Sequence, residues 1–501
     1  MKQKLLISIL FLSLQWMIFP VRATAEQNEE AKNYIKMHFS GKVGSQYALL
    51  IMGAKTGEYT LDWGNGETAT STLNTSATTI TGELKSQDLT IYGNISVLEC
   101  SGNGLTTLDV TKMPTLTHLI SRDNYVEEMD FSKCKELKVV CIQSSPLKSL
   151  DLSENTKIDS VIVSNNRIAS LKLPQESELE YLLCTTNSPL TELDLSGCPK
   201  LKYLDAMQTM VTKYDLSKNK QLTYVAAGLG RPITQFVLPE QNNIDTLMLP
   251  MANISSIDLS QTKKLKYLQL DNNFTLTKLD LSGMTSLETL LCESAPIENL
   301  NFSDTPNLTT LTCNNNYMLT SLNLSGLDKL ETVSCYACSL SELNLDGCMS
   351  LKNLDCSENM ELSTVNFPES LASLNCSGCA FAEVDASKLP NVTDLHCNNN
   401  QITKLDLSAM EGLLALDCGD NAITKLDFSH NKKIADVVLK NNPIETGITF
   451  KDANDLRYVS VDGTKLSVEA LNELYMSLRQ KREEDDNNDL GGLLLFNNVE
   501  N

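Results

Sequence analysis

The feature that most constrains this chain is a repeat. Aligning Leu330-Glu331-Thr332-Val333-Ser334-Cys335 on Leu351-Lys352-Asn353-Leu354-Asp355-Cys356 fixes a register of the form L-x-x-L-x-(L/C)-x-x-(N/C)-x-L. The first position of that register runs from Ile95, Leu116, Leu137, Ile158 and Leu179 through to Leu413, Ile434 and Leu456, making 18 turns at a mean spacing near 21 residues. A turn this short cannot bury its own leucines. Stacked at the strand spacing of about 4.8 Å, each row of leucines gains neighbours above and below, and the core becomes a column. The outer half of each turn carries L-D-L-S or a near relative, as at Leu150 to Ser153 and Leu405 to Ser408. It leaves little room for a helix, so extended or 3₁₀ segments are expected there.

Two further columns follow from the register. Asparagine returns at the ninth position, for example at Asn124, Asn166, Asn273, Asn316, Asn359, Asn400 and Asn442. An amide carries both donors and an acceptor, so each is expected to satisfy the backbone of its turn and the asparagine of the next rung. Cysteine takes the inward sixth position at Cys100, Cys184, Cys292, Cys313, Cys335, Cys356, Cys376, Cys397 and Cys418. Parallel side chains in one register do not point at one another, so buried free thiols are expected rather than disulfides. In Cys335-x-x-Cys338 and Cys376-x-x-Cys379 the second cysteine replaces a ladder asparagine, which removes the metal or redox reading of the motif. Cys141 falls on the solvent face and is expected to be the exposed thiol.

The phrase L-x-x-L-x-C-x-x-N-x-L-T-x-L-D-L-S resembles the short repeats of exported bacterial leucine-rich-repeat proteins, similar in kind to internalins and to those of Bacteroidetes-type bacteria. The resemblance implies an α/β-type repeat solenoid, mostly β: a curved, right-handed coil of about 18 short rungs. It also implies a binding or adhesion role with no fixed partner, the motif residues being scaffold.

The ends read differently. Met1-Lys2-Gln3-Lys4, an apolar run from Leu5 to Phe19 and then Ala23-Thr24-Ala25 have the form of a secretory signal peptide over residues 1–25, cut before Glu26. Export, with a secreted, periplasmic or cell-surface destination, is therefore expected. No later segment offers the ~20 apolar residues of a membrane helix. Residues 26–94 are read as a small β cap domain, residues 95–466 as the solenoid, and residues 467–501 as a C-terminal cap. In that last segment Ser467 begins a helix to about Gln480, with Leu471, Leu474, Tyr475 and Leu478 on one face, and the run from Leu493 to Phe496 adds a strand. The net charge of −22 becomes −25 when the leader's Lys2, Lys4 and Arg22 are removed. So acidic a surface repels phosphate backbones, which argues against nucleic acid as a partner.

No motif carries catalysis. Four histidines, His38, His118, His396 and His430, lack a second ligand at metal spacing, and no nucleophile elbow is present. The aspartates of L-D-L-S are read as bonded to the outer turn's backbone in preference to calcium. No cofactor is expected, and the chain is read as a monomer and not an enzyme. Period-two alternation sends the third, fifth and seventh positions of each rung to the solvent side, the expected concave face. There they spell an apolar and aromatic strip: Ile120, Ile162, Tyr181, Leu183, Tyr203, Met207, Tyr224, Met248, Tyr267 and Leu291. Farther along the same positions turn polar or acidic, with Asp355, Asn375, Asp394, His396, Asn398, Asp417 and Asp436. The expected function is recognition of a protein or glycan on this face, the alternative being a structural or assembly protein of the bacterial envelope.

Overall fold

The computed structural model describes residues 33–445, 448, 450, 453, 456–484 and 494–496. The leader expected over residues 1–25 lies outside them. The fold is a mostly-β leucine-rich-repeat solenoid, and the chain divides into two compact units between Ile168 and Ala169. Among the described residues no helix is long and apolar enough to cross a membrane.

The first unit opens with eight strands: β1 (Tyr34–Phe39), β2 (Gln46–Gly53), β3 (Gly57–Asp62), β4 (Thr68–Leu73), β5 (Thr78–Glu83), β6 (Asp88–Tyr92), β7 (Ile95–Glu99) and β8 (Leu105–Lys112). Alternation buries Ile35, Met37 and Phe39 from β1 and Tyr47, Leu49 and Ile51 from β2. One antiparallel sheet has the order β4-β3-β6-β1-β8. Across from it β2 pairs with both β5 and β7, and Tyr47 meets Phe39 and Trp63 edge-on at 6.3 and 5.3 Å. β7 is also the first strand of the parallel ladder, paired with His118–Ile120, which continues to Val139–Cys141 and Ser160–Ile162.

In the second unit the ladder runs in register from Tyr181–Leu183 through Tyr203–Asp205, Tyr224–Ala226 and Thr246–Met248, and onward to Tyr458–Ser460. Each rung gives three residues to the ladder, the middle one buried. First-position residues such as Leu265, Leu287, Leu308 and Leu330 have no exposed surface, a burial that stabilises by about 1.5–3 kcal/mol per side chain. Among the described residues the outer halves are turns and three-residue strands, with a 3₁₀ turn at Ala386–Lys388. Helix α1 (Val468–Glu484) starts on Ser467, whose Oγ accepts from the Ala470 N–H at 3.1 Å. Of its residues up to Met476, Leu474 is buried, and the side chain of Leu478, expected on the same face, lies outside the described residues. Tyr475, expected on the same face, is exposed, because adjacent helical residues point roughly 100° apart. Strand Leu494–Phe496 pairs in parallel with Tyr458–Ser460.

The asparagine column works differently from the expectation. The amides bond chiefly to backbone groups. Asn273 donates to the carbonyls of Leu249 and Leu270 and accepts from the Ile254 N–H. Asn359 donates to Cys335, Cys356 and Ser357 and accepts from Leu340. The donors are taken by two carbonyls that converge on each side chain, one from its own rung and one from the rung before. Just before this column, the eighth position is left-handed throughout: Asp123, Asn165, Asn272, Asn315, Asn399 and Asn441 have φ between 51° and 59°. Asparagine and aspartate tolerate that conformation, but Leu229 (φ 55°) and Met251 (φ 51°) do not do so without strain.

All fifteen cysteines are free and buried. Burial pushes the Cys184 thiol up to about 12, and Cys379 up to about 11. Cys141 corrects the sequence reading, for it is 2% exposed. In register it lies between Ile120 and Ile162, and the Arg122 Nε sits 3.3 Å from its sulfur, covering the remaining side. The L-D-L-S aspartates accept from the backbone N–H two residues on, as in Asp194 to Ser196, Asp258 to Ser260 and Asp406 to Ser408. The serine's hydroxyl, first in weight at Asp194, and its N–H, first at Asp258 and Asp406, together hold these carboxyls below their ordinary pKa.

Candidate binding surface

Every residue of the expected strip lies on a ladder strand except Met207, which comes two residues after one, and all are partly exposed. Ile120 and Ile162 belong to the first unit, where they flank Cys141. The remaining eight belong to the second. There Tyr181, Tyr203 and Tyr224 are direct register partners on consecutive strands. Thr246 follows, and then Tyr267. The parallel ladder fixes this column, because in-register strands place equal positions side by side.

The rings do not pack uniformly. Tyr203 and Tyr224 stack face to face, with centroids 4.1 Å apart and planes 3° apart. Tyr181 and Tyr203 are 6.4 Å apart and inclined by 33°. The Tyr224 hydroxyl donates to the Met248 sulfur at 3.3 Å, and burial raises the pKa of both Tyr203 and Tyr224. The strip is thus partly self-packed, yet all four tyrosines keep exposed surface.

At the fifth position the column reads Leu183, Asp205, Ala226, Met248, Gln269, Leu291. Asp205 was not singled out by the sequence reading, although it is the one carboxylate in that column of six. It accepts a 3.3 Å bond from the Met207 N–H, and burial raises its pKa. Among the described residues it has no cationic partner.

The acidic patch is more self-contained. Asp355 accepts from both the N–H and the hydroxyl of Ser357, Asp394 accepts from Thr393, and Asp417 accepts from the Gly419 N–H. Asp436 pairs with Arg457 at 2.6 Å. His396 is exposed and lies in register between Asn375 and Asp417. These groups share one face, and each of the four carboxylates already accepts at least one bond from its own chain. Among the described residues no group of three or more His, Cys, Asp or Glu is placed to hold a metal ion. An open groove of about 510 Å³ lies on the outer side instead, lined by Phe236, Val237, Leu238 and Pro239, where L-D-L-S is replaced.

The repeat, the ladder and the asparagine column define a leucine-rich-repeat protein of internalin-like fold. Among solved structures the chain is similar to the functional domain of InlJ from Listeria monocytogenes, which includes a cysteine ladder. The identity is 27% and the TM-score 0.59, over 76% of this chain and 77% of that one. It is also similar in fold to YopM from Yersinia enterocolitica, at 20% identity and TM-score 0.56, over 74% of this chain and 79% of that one. No family model and no curated protein sequence matches the chain.

Proposed function

We propose that this chain is an exported binding module that anchors a protein partner on the solvent side of its ladder, with Tyr181, Tyr203, Tyr224 and Tyr267 as the contact column. The observation that carries this reading is the partly exposed aromatic strip, since soluble surfaces rarely display contiguous apolar patches without use. Tyrosine supplies large contact area at low entropic cost, and recognition surfaces are enriched in it. Stacked-repeat folds offer long surfaces of this kind to their partners. Export rests on the sequence of residues 1–25, and the acidic patch from Asp355 to Asp436 is assigned a steering role toward basic surface. A glycan remains the alternative ligand, because stacked rings also suit sugar faces.

The test is capture of a partner by the chain lacking residues 1–25, followed by the double variant Tyr203→Ala/Tyr224→Ala. Truncating two central anchors is expected to weaken binding by about 100-fold or more. Unchanged affinity would move the interface elsewhere. Retention on a glycan array in place of protein capture would decide for the alternative.

A further inference from the structure

Asp205 is hard to explain as scaffold. The same register position holds leucine, alanine or methionine on four of the five other rungs from Leu183 to Leu291, so packing does not ask for a carboxylate. Burial of an unpaired carboxylate is unfavourable, and that cost is visible in the raised pKa. One of its oxygens makes only a long bond to the Met207 N–H. A carboxylate has about four lone-pair sites, so most of its accepting capacity is open.

Its neighbours are equally specific. Asp205 and Tyr203 lie two residues apart on one strand and face the same side, roughly 7 Å apart at Cα. Tyr181, the register partner of Tyr203, leaves between the two rings a wedge of 6.4 Å opened by 33°. Two flat faces bracketing a third need about 7 Å, twice the ordinary ~3.5 Å contact distance. A small outward tilt of Tyr181 provides that. The Tyr203–Tyr224 stack, at 4.1 Å, is already closed and braces Tyr203 from behind.

We propose that this wedge is an arginine slot: a guanidinium from the protein partner enters between Tyr181 and Tyr203, and its N–H fork closes on the Asp205 carboxylate. The inference rests on the binding role proposed above and names the partner chemistry for it. A guanidinium is flat, stacks on aromatic faces and matches a carboxylate bidentately, whereas an ammonium is compact and does only the last in part. The net charge of −22 draws such a side chain inward.

The probe is N-acetyl-L-argininamide, read by ¹⁹F NMR of protein labelled with fluorotyrosine, the resonances assigned by single Tyr→Phe variants. Saturable shifts are expected at Tyr181 and Tyr203, with none from the isosteric, uncharged citrulline amide. Asp205→Asn should weaken the probe about tenfold, the loss of one charge-assisted contact, and Tyr181→Leu should abolish the shifts while the melting temperature stays put. Absence of a saturable shift, equal binding of N-acetyl-L-lysinamide, or indifference to Asp205→Asn would each overturn the slot. Partner capture that depends on Tyr203 and Tyr224 without any argininamide binding removes the slot and keeps the binding surface. Argininamide binding with no partner that depends on the strip keeps the slot and removes the proposed function.

Discussion

Replacing Asn359 by alanine should destabilise the solenoid by about 3–5 kcal/mol. The side chain is fully buried. It donates to the carbonyls of Cys335 at 3.0 Å, Cys356 at 2.8 Å and Ser357 at 3.3 Å, and accepts from the Leu340 N–H at 3.0 Å. Alanine strands that N–H and at least one carbonyl in a dry interior, at about 1–3 kcal/mol for each orphaned group, and leaves a small cavity besides. The chain contains its own control. At the same position of neighbouring rungs Cys338 and Cys379 each give one thiol bond back, to the carbonyls of Cys313 at 3.1 Å and Cys356 at 3.3 Å. Asn359→Cys should therefore cost only about 2 kcal/mol, since it restores one donor and part of the volume. Urea titration of both variants measures the difference, and amide exchange should localise it to the rungs around Leu340, as nearest-neighbour coupling requires. If the alanine variant lies within about 1 kcal/mol of the parent, or the cysteine variant is no better than alanine, the asparagine column does not hold the rungs as described.

Asp205→Asn should raise the melting temperature at pH 7. The folded-state pKa lies above the ordinary 3.8, so the charged carboxylate penalises the fold above that value; below pH 3.8 it is protonated in both states, and calorimetry should find the difference between variant and parent gone. The L-D-L-S aspartates, whose pKa values are depressed, work with the opposite sign: their contribution is present above pH 3.8 and is lost as the pH falls through their folded values. Native protein at pH 8 should resist maleimide at all fifteen cysteines, and denaturant should expose fifteen reactive thiols; fast labelling of Cys141 would show that Arg122 does not cover it. Met251→Asn, at φ 51°, should gain about 0.5–1 kcal/mol by relieving left-handed strain, and a loss in the urea titration would mean that the methionine side chain has a packing role.

The fold was legible because every rung repeats one sentence. Leu, Cys and Asn at the first, sixth and ninth positions fix side-chain direction, and a parallel in-register ladder follows from their spacing. The tyrosine column was readable for the same reason. What escaped was whatever depends on contacts between unlike rungs. Cys141 looked exposed from its position alone, yet Arg122, one rung away, lies against its sulfur. Asp205 drew no attention because one aspartate among 63 acidic residues is unremarkable; it becomes conspicuous only when Leu183 and Ala226 are known to sit beside it. The left-handed eighth position was encoded by Asp123, Asn165 and Asn272, but Leu229 and Met251 hide the pattern, since bulky residues there are tolerated only under strain.

The antiparallel pairing of β2 with β7 has a consequence for growth. A ladder of identical parallel rungs has no intrinsic length, and a bare first strand would accept the last strand of another molecule, rung upon rung, into a fibre. β2 reverses the polarity at that edge, and β5 beyond it offers threonine, glycine and glutamate in place of leucine. An incoming copy would meet the wrong hydrogen-bond spacing and no apolar row to extend, so propagation stops where the repeat begins.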